Sequence, residues 1–209
     1  MLAPGADPKS DPCLALRAAV AAAEFGLPIA PGTLQNLKSC PIDDRTWNDE
    51  SRSLFLRLLA SGPALLQVWE EIDFVDIPGR LIPEWLAIRN RPSASAAHRY
   101  TIDRHSVEVV TRLGRETPRG NRYDDRHYQA LLLAGILHDV GKRPGVADHA
   151  AEGARHASMV LKRMGFDRDI IWWVTLLVRE HLTLSEFATG QNPNDPNAVS
   201  YTHLRAHET

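Results

Sequence analysis

The chain has 209 residues, of which 44% are apolar and 24% charged, with a formal net charge of -2. That balance suits a globular protein with room for one compact domain and a smaller helical piece. A charge this close to zero argues against a general nucleic-acid binder, because holding a phosphate backbone takes concentrated Lys and Arg.

The first residues, Met1 to Asp11, lack the positive start and apolar core of a secretory signal. Cys13 to Phe25 is Ala-rich and reads as a helix, stopped by Gly26 and Pro28. A second helix is expected over Trp47 to Leu59, where Leu54, Phe55, Leu58 and Leu59 recur at helical spacing. Pro63 starts a third, since proline is tolerated in a first turn, and Pro83 to Arg89 forms a fourth. Cys13 and Cys40 show no metal-site spacing and suit reduced thiols, so a cytoplasmic location is expected.

From Arg91 to Ala97 a Pro/Ser/Ala stretch reads as a linker, and a more regular set of helices follows. Thr101 or Asp103 caps a helix running to about Leu113, after which Leu113 to Arg126 reads as an exposed loop. His127 to Asp139 is helical and apolar on nearly every side, hence central, and Gly141 ends it. Two more helices span His149 to Met164, closed by Gly165, and Asp167 to about His181. The most apolar window, Ile170 to Val178, is far short of the roughly 20 residues a bilayer requires. No strand-like alternation persists, so the fold class is all-α.

Nine histidines must be sorted by position. His105 shares a stripe with Val109 and Leu113 and should face the interior. His138 continues the stripe of Leu131 and Ala134, and Asp139 that of Leu132 and Ile136. At a helix end the two neighbours can flank one ion, and a buried acid beside a buried imidazole needs a partner that a divalent cation supplies. His138-Asp139-Val140-Gly141-Lys142 is the most specific signal in the chain. His181 ends the stripe of Ile170, Val174 and Leu177. His149 opens a helix whose small residues Ala150, Gly153, Ala154 and Ala157 allow close approach. Each of these two is read either as a ligand for a second metal or phosphate, or as a polar helix end. His156 is read as structural, His127 as solvated, His98 as a loop residue, and Trp172 and Trp173 as core.

Several strings together resemble the HD domain of the bacterial bifunctional PII uridylyltransferase/uridylyl-removing enzymes. They are His98-Arg99-Tyr100-Thr101-Ile102-Asp103-Arg104-His105, Leu137 to Lys142, Asp148-His149 with Gly153-Ala154, and Val178-Arg179-Glu180-His181-Leu182. The likeness reaches upstream through Leu81-Ile82-Pro83-Glu84-Trp85. It implies an HD-domain helical bundle over residues 93–198 that is C-terminally incomplete. It also implies a smaller helical linker region over 1–92, and a tail over 199–209 that does not resemble the family. The linker region would lie between the HD domain and a nucleotidyltransferase domain missing here.

The resemblance further implies His105, His138 and Asp139 as metal ligands, with Lys142, His149 and His181 as secondary active-site residues. Mixed imidazole and carboxylate ligands favour Mn²⁺ or Mg²⁺, or Fe²⁺, over closed structural zinc. The implied reaction is metal-dependent hydrolysis of the UMP–tyrosine bond on the PII nitrogen-regulatory protein, or of AMP–tyrosine in some branches. Glutamine would be sensed only through domains absent here, with no nucleic-acid or membrane partner. Two departures from the family pattern are expected. No nucleotidyltransferase signature is found, and the chain stops before the distal Asp of the HD pattern. The second keeps two other readings open, a hydrolase of free nucleotides and a non-catalytic regulatory module.

Overall fold

A computed structural model describes Leu2 and residues 5–43, 46–93, 99–116 and 125–183. Within these the secondary structure is helical, apart from one isolated antiparallel bridge between Pro92 and Thr101. The first half carries α1 (Leu14–Phe25), α2 (Pro31–Leu37), α3 (Asp49–Leu59), α4 (Pro63–Phe74) and α5 (Ile77–Leu81), then a 3-10 turn over Pro83–Ala87. The second half carries α6 (Ile102–Glu116), α7 (Arg126–Leu137), α8 (His149–Arg163) and α9 (Arg168–Arg179).

Local chemistry sets these boundaries. Asn48 caps α3 in a reciprocal arrangement with Ser51. The carboxylates of Asp125, Asp148 and Asp167 accept from the first free N–H groups of α7, α8 and α9. Each such cap contributes about 1 kcal/mol. Gly26, at φ 63°, ends α1 in the left-handed conformation that glycine adopts without steric cost.

In the second half α9 packs on both α7 and α8, and α7 on α6. In the first half α1 packs on α3 and α4. The halves meet where α4 lies against α6 and α3 against α7, and one hydrophobic cluster runs through both. Polar contacts reinforce the junction. Arg163 on α8 donates to both carboxylate oxygens of Glu84 at 2.9 and 2.6 Å, and Arg104 on α6 pairs with Glu70 on α4. The buried Asp103 accepts from the Asn90 N–H at 2.7 Å, tying the first turn of α6 to the chain before it.

Several expectations need correction. Two short helices, α2 and α5, were not anticipated. Each carries a Pro–Gly pair, and each proline occupies a first-turn position where it fits. The Pro83–Arg89 element is a 3-10 turn ending at Ala87, and α6 continues three residues past Leu113. Helix α7 ends at Leu137 with His138 as its C-cap, so Asp139 lies on the turn and not on the helix. Trp172 is 51% exposed and not core, because α9 packs through Ile170, Val174 and Val178 instead. His98, most of the 91–97 linker, residues 117–124 of the expected loop and the 199–209 tail lie outside the described residues.

Candidate metal centre

The end of α7, the turn after it, the start of α8 and the end of α9 converge on one wall of a cavity of about 980 Å³. The face of α6 carrying His105, Val109 and Leu113 forms part of the lining, as does the stripe of Leu131, Ala134 and His138 on α7. His105, His138, Asp139, Lys142, His149 and His181 all line this cavity. Most of the remaining wall is apolar, with Ile102, Leu177 and Leu182 among its residues.

Asp139 is the hub. It is 1% exposed, at the end of the buried stripe of Leu132 and Ile136. Donor atoms of His105, His138 and Asp139 lie within 4.8 Å of one another, and so do those of Asp139, His149 and His181. One carboxylate therefore belongs to two candidate ligand groups. The rings of His138 and His105 have centroids 5.2 Å apart, as do those of His138 and His181, while His149 and His181 are 5.6 Å apart.

Backbone carbonyls fix the tautomers. His138 Nδ1 lies 2.9 Å from the Gly135 carbonyl oxygen, and His181 Nδ1 2.6 Å from that of Val178. A carbonyl only accepts, so both Nδ1 atoms carry the proton and Nε2 of the neutral ring is a bare lone pair. Those lone pairs face the carboxylate, His138 Nε2 at 3.4 Å from Oδ2 and His181 Nε2 at 3.6 Å from Oδ1. The second distance is too long for a hydrogen bond. Asp139 Oδ1, His149 Nε2 and His181 Nε2 are all buried without a hydrogen-bond partner among the described residues. Electron-rich atoms converging on a buried carboxylate repel unless a cation or added proton lies between them. The donor set and its orphaned atoms fit a divalent metal ion.

Electrostatics keep Asp139 and His149 ready for such an ion. Burial pushes the Asp139 carboxyl up, but His138 and His181 in their protonated forms and Lys142, whose Nζ is 2.8 Å from Oδ2, together hold it well below the usual carboxylate range. Burial, assisted by the Lys142 charge, lowers His149 and keeps it neutral. For His181, burial acts downward but is outweighed by the Asp139 carboxylate and the Val178 carbonyl, so its pKa is raised.

Gly141 matters through proximity. Its φ is not positive, so it is not the left-handed helix stop anticipated from sequence. A Cβ there would lie 2.3 Å from both Gly153 N and His149 O, which are backbone atoms of α8. The turn after α7 and the first turns of α8 touch through their main chains, and this sets His149 beside Asp139. Gly153, among the small residues expected to permit such an approach, supplies the other side of the contact.

The histidines set aside lie apart from this cluster. His156 is 6% exposed, with Nε2 2.9 Å from Glu152 Oε1. His127 is on the surface, its ring tilted over Trp173 at 4.5 Å. Two cationic cavity residues are not among those the sequence marks for the site, Arg91, which reads as the start of a linker, and Arg143. The adjacency of Arg143 to Lys142 was the one signal available for it.

Residues 102–202 match the family model of the HD domain. The chain carries an HD domain. Across 95% of its length it is 40% identical to a bifunctional uridylyltransferase/uridylyl-removing enzyme of Streptomyces coelicolor and 38% identical to one of Mycobacterium tuberculosis. The corresponding enzyme of Corynebacterium glutamicum is 33% identical over 91% of the chain. The matched segment makes up 23%, 24% and 27% of these relatives, so the chain spans about a quarter of their length. HD domains bind divalent metals, and a metal-dependent HD hydrolase role is supported for this chain by its domain and its homologues. Among the described residues no helix is long and apolar enough to cross a membrane.

Proposed function

We propose that this chain is the nucleotidyl-removing part of a PII-modifying enzyme, hydrolysing a UMP–tyrosine or AMP–tyrosine phosphodiester on the PII protein. In this reading residues 93–198 are the hydrolase and 1–92 the helical region that joins it to the rest of a longer protein. The observation that carries it is the convergence of four imidazoles, in two ligand groups, on Asp139 at the wall of a roomy cavity, in an HD domain related to uridylyl-removing enzymes.

His105, His138 and Asp139 would hold one ion, Mn²⁺ or Mg²⁺, and Asp139 with His149 and His181 a second. A divalent cation there supplies Lewis acidity toward phosphate and acidifies an attacking water. Lys142 keeps Asp139 charged and oriented. The carbonyls of Gly135 and Val178 hold two imidazoles in the tautomer that presents Nε2 to the site. The apolar wall is suited to a nucleobase and a tyrosine ring, and about 980 Å³ accommodates a nucleotide. A tyrosine phenolate, with a pKa of about 10, leaves more readily than an alkoxide. A weak acid therefore suffices to protonate it, and with an ion held only by His105, His138 and Asp139, His149 or His181 can serve.

The test is release of UMP or AMP from modified PII by this chain and by its Asp139→Ala variant in Mn²⁺. Release by the wild-type chain alone is expected, and equal release by both sinks the assignment. Screening free nucleotides alongside separates a general nucleotide hydrolase. Calorimetric titration with Mn²⁺ separates a non-catalytic module, which needs no ion at Asp139.

A further inference from the structure

Arg143 is a half-buried arginine whose guanidinium is given no partner by the described residues. The other half-buried arginines are bonded to carboxylates, as Arg163 is to Glu84, or to backbone carbonyls, as Arg80 is to Lys38 and Cys40. The Arg143 Nε is buried with no acceptor among the described residues, and none of their ion pairs includes Arg143. The backbone around it is fixed, its N–H donating to the Gly141 carbonyl at 2.8 Å and its own carbonyl accepting from Val146 at 3.3 Å. The side chain lines the cavity that holds Asp139 and His149. Glu152, a carboxylate on α8, is bonded to Arg155 and His156.

A guanidinium N–H taken out of bulk water without an acceptor, as at the Arg143 Nε, is costly. An anion in the cavity removes that cost, and the planar fork of arginine matches phosphate oxygens two at a time. Lys142, the cation chemistry would nominate first, is already bonded to Asp139 at 2.8 Å. Arg91 enters the same cavity from the first half of the chain, and among the described residues its side chain donates one bond, to the Ala87 carbonyl at 3.3 Å.

The geometry points to Arg143 as a specificity-determining residue that grips the phosphoryl oxygens of the substrate and of the nucleoside monophosphate released, with Arg91 as a second cation beside it. This rests on the hydrolase reading above. The probes are inorganic phosphate and UMP, titrated calorimetrically into the Mn²⁺-loaded chain and, in parallel, into the chain without Mn²⁺. The wild type is compared with Arg143→Gln and Arg143→Lys.

For Arg143→Gln, Mn²⁺ affinity is expected to stay within about twofold while phosphate and UMP weaken about tenfold or more. Arg143→Lys, which keeps the charge and loses the fork, should fall between. Equal phosphate affinity in the wild type and Arg143→Gln overturns the assignment, as does a wild-type chain that binds neither probe. Parallel loss of Mn²⁺ also overturns it, because Arg143 would then be a structural prop. If Arg143→Gln fails to fold, unchanged affinity in Arg143→Lys overturns the two-point grip. Phosphate binding that depends on Arg143 in a chain releasing no nucleotide from modified PII leaves this inference standing and removes the hydrolase reading.

Discussion

Replacing Gly141 by alanine should pull the proposed second ion's ligands apart without unfolding the protein. The new Cβ would lie 2.3 Å from Gly153 N and from His149 O, whereas ordinary contact begins at 3.4 Å. The turn after α7 and the start of α8 must therefore separate by about 1.1 Å, since main-chain atoms inside a helix cannot swing aside. Metal coordination tolerates about 0.2 Å, so His149 would leave the reach of an ion shared with Asp139 and His181. Overpacking of this kind costs about 1–3 kcal/mol. In a chain this size each kcal/mol lowers the melting temperature by roughly 2–4 °C. Gly153→Ala is the matched comparison. Its Cβ would sit 3.2 Å from His138 O and 3.3 Å from a Val178 methyl, and helix propensity returns about 0.8–1.0 kcal/mol, so its stability should change little. Calorimetric Mn²⁺ titration and thermal melts followed by circular dichroism read both effects. If Gly141→Ala binds Mn²⁺ with wild-type stoichiometry and affinity, the main-chain contact does not set the position of His149, and the reasoning is refuted.

Three further outcomes are expected. Asp139→Asn should abolish Mn²⁺ binding at both ligand groups, while His105→Ala should spare the group of Asp139, His149 and His181; two ions retained by Asp139→Asn would contradict the shared hub. Burial pushes the Glu84 carboxyl up, but Arg163 more than offsets this and holds its pKa below the ordinary value. The stability it contributes is thus complete above about pH 4.3 and lost as pH falls through the depressed value. Glu84→Gln should cost about 1–3 kcal/mol at pH 7, a gap in denaturant melts that narrows in acid; a pH-independent gap would show that charge is not involved. Burial raises the thiol pKa of Cys13 and Cys40, so neither should react with iodoacetamide in the native chain at pH 8, and both should in denaturant; rapid native labelling, read by mass spectrometry, would contradict their burial.

The sequence was most legible where a pattern repeats. Spacings of three and four residues placed His105 with Val109 and Leu113, and His138 with Ala134 and Leu131, and each set shares a helix face that lines the cavity. Asp167 and Pro63 announced helix starts because capping and first-turn chemistry act within a few residues. What the sequence concealed depends on partners distant in the chain. Gly141 looks like a helix stop until α8 is seen against it. Trp172 looks like core until the face of α9 used for packing is known. Arg143 sits in a Pro/Gly turn with no period to mark it, and its interest lies in the acceptor its Nε lacks among the described residues. The short helices α2 and α5 hold too few residues to display a period at all.

The carbonyls of Gly135 and Val178 have a consequence beyond fixing tautomers. Each belongs to the last turn of a helix, and α7 and α9 both terminate at the cluster. The end of a helix presents roughly half a negative charge from its aligned peptide groups. Two such ends, set against the single positive start of α8 at the same wall, leave the cavity a net attraction for cations that belongs to the main chain. It does not titrate, and no side-chain substitution removes it. Variants stripped of imidazoles should therefore lose coordination and metal selectivity while still enriching cations near the empty position. The fold concentrates the ion and the side chains choose it.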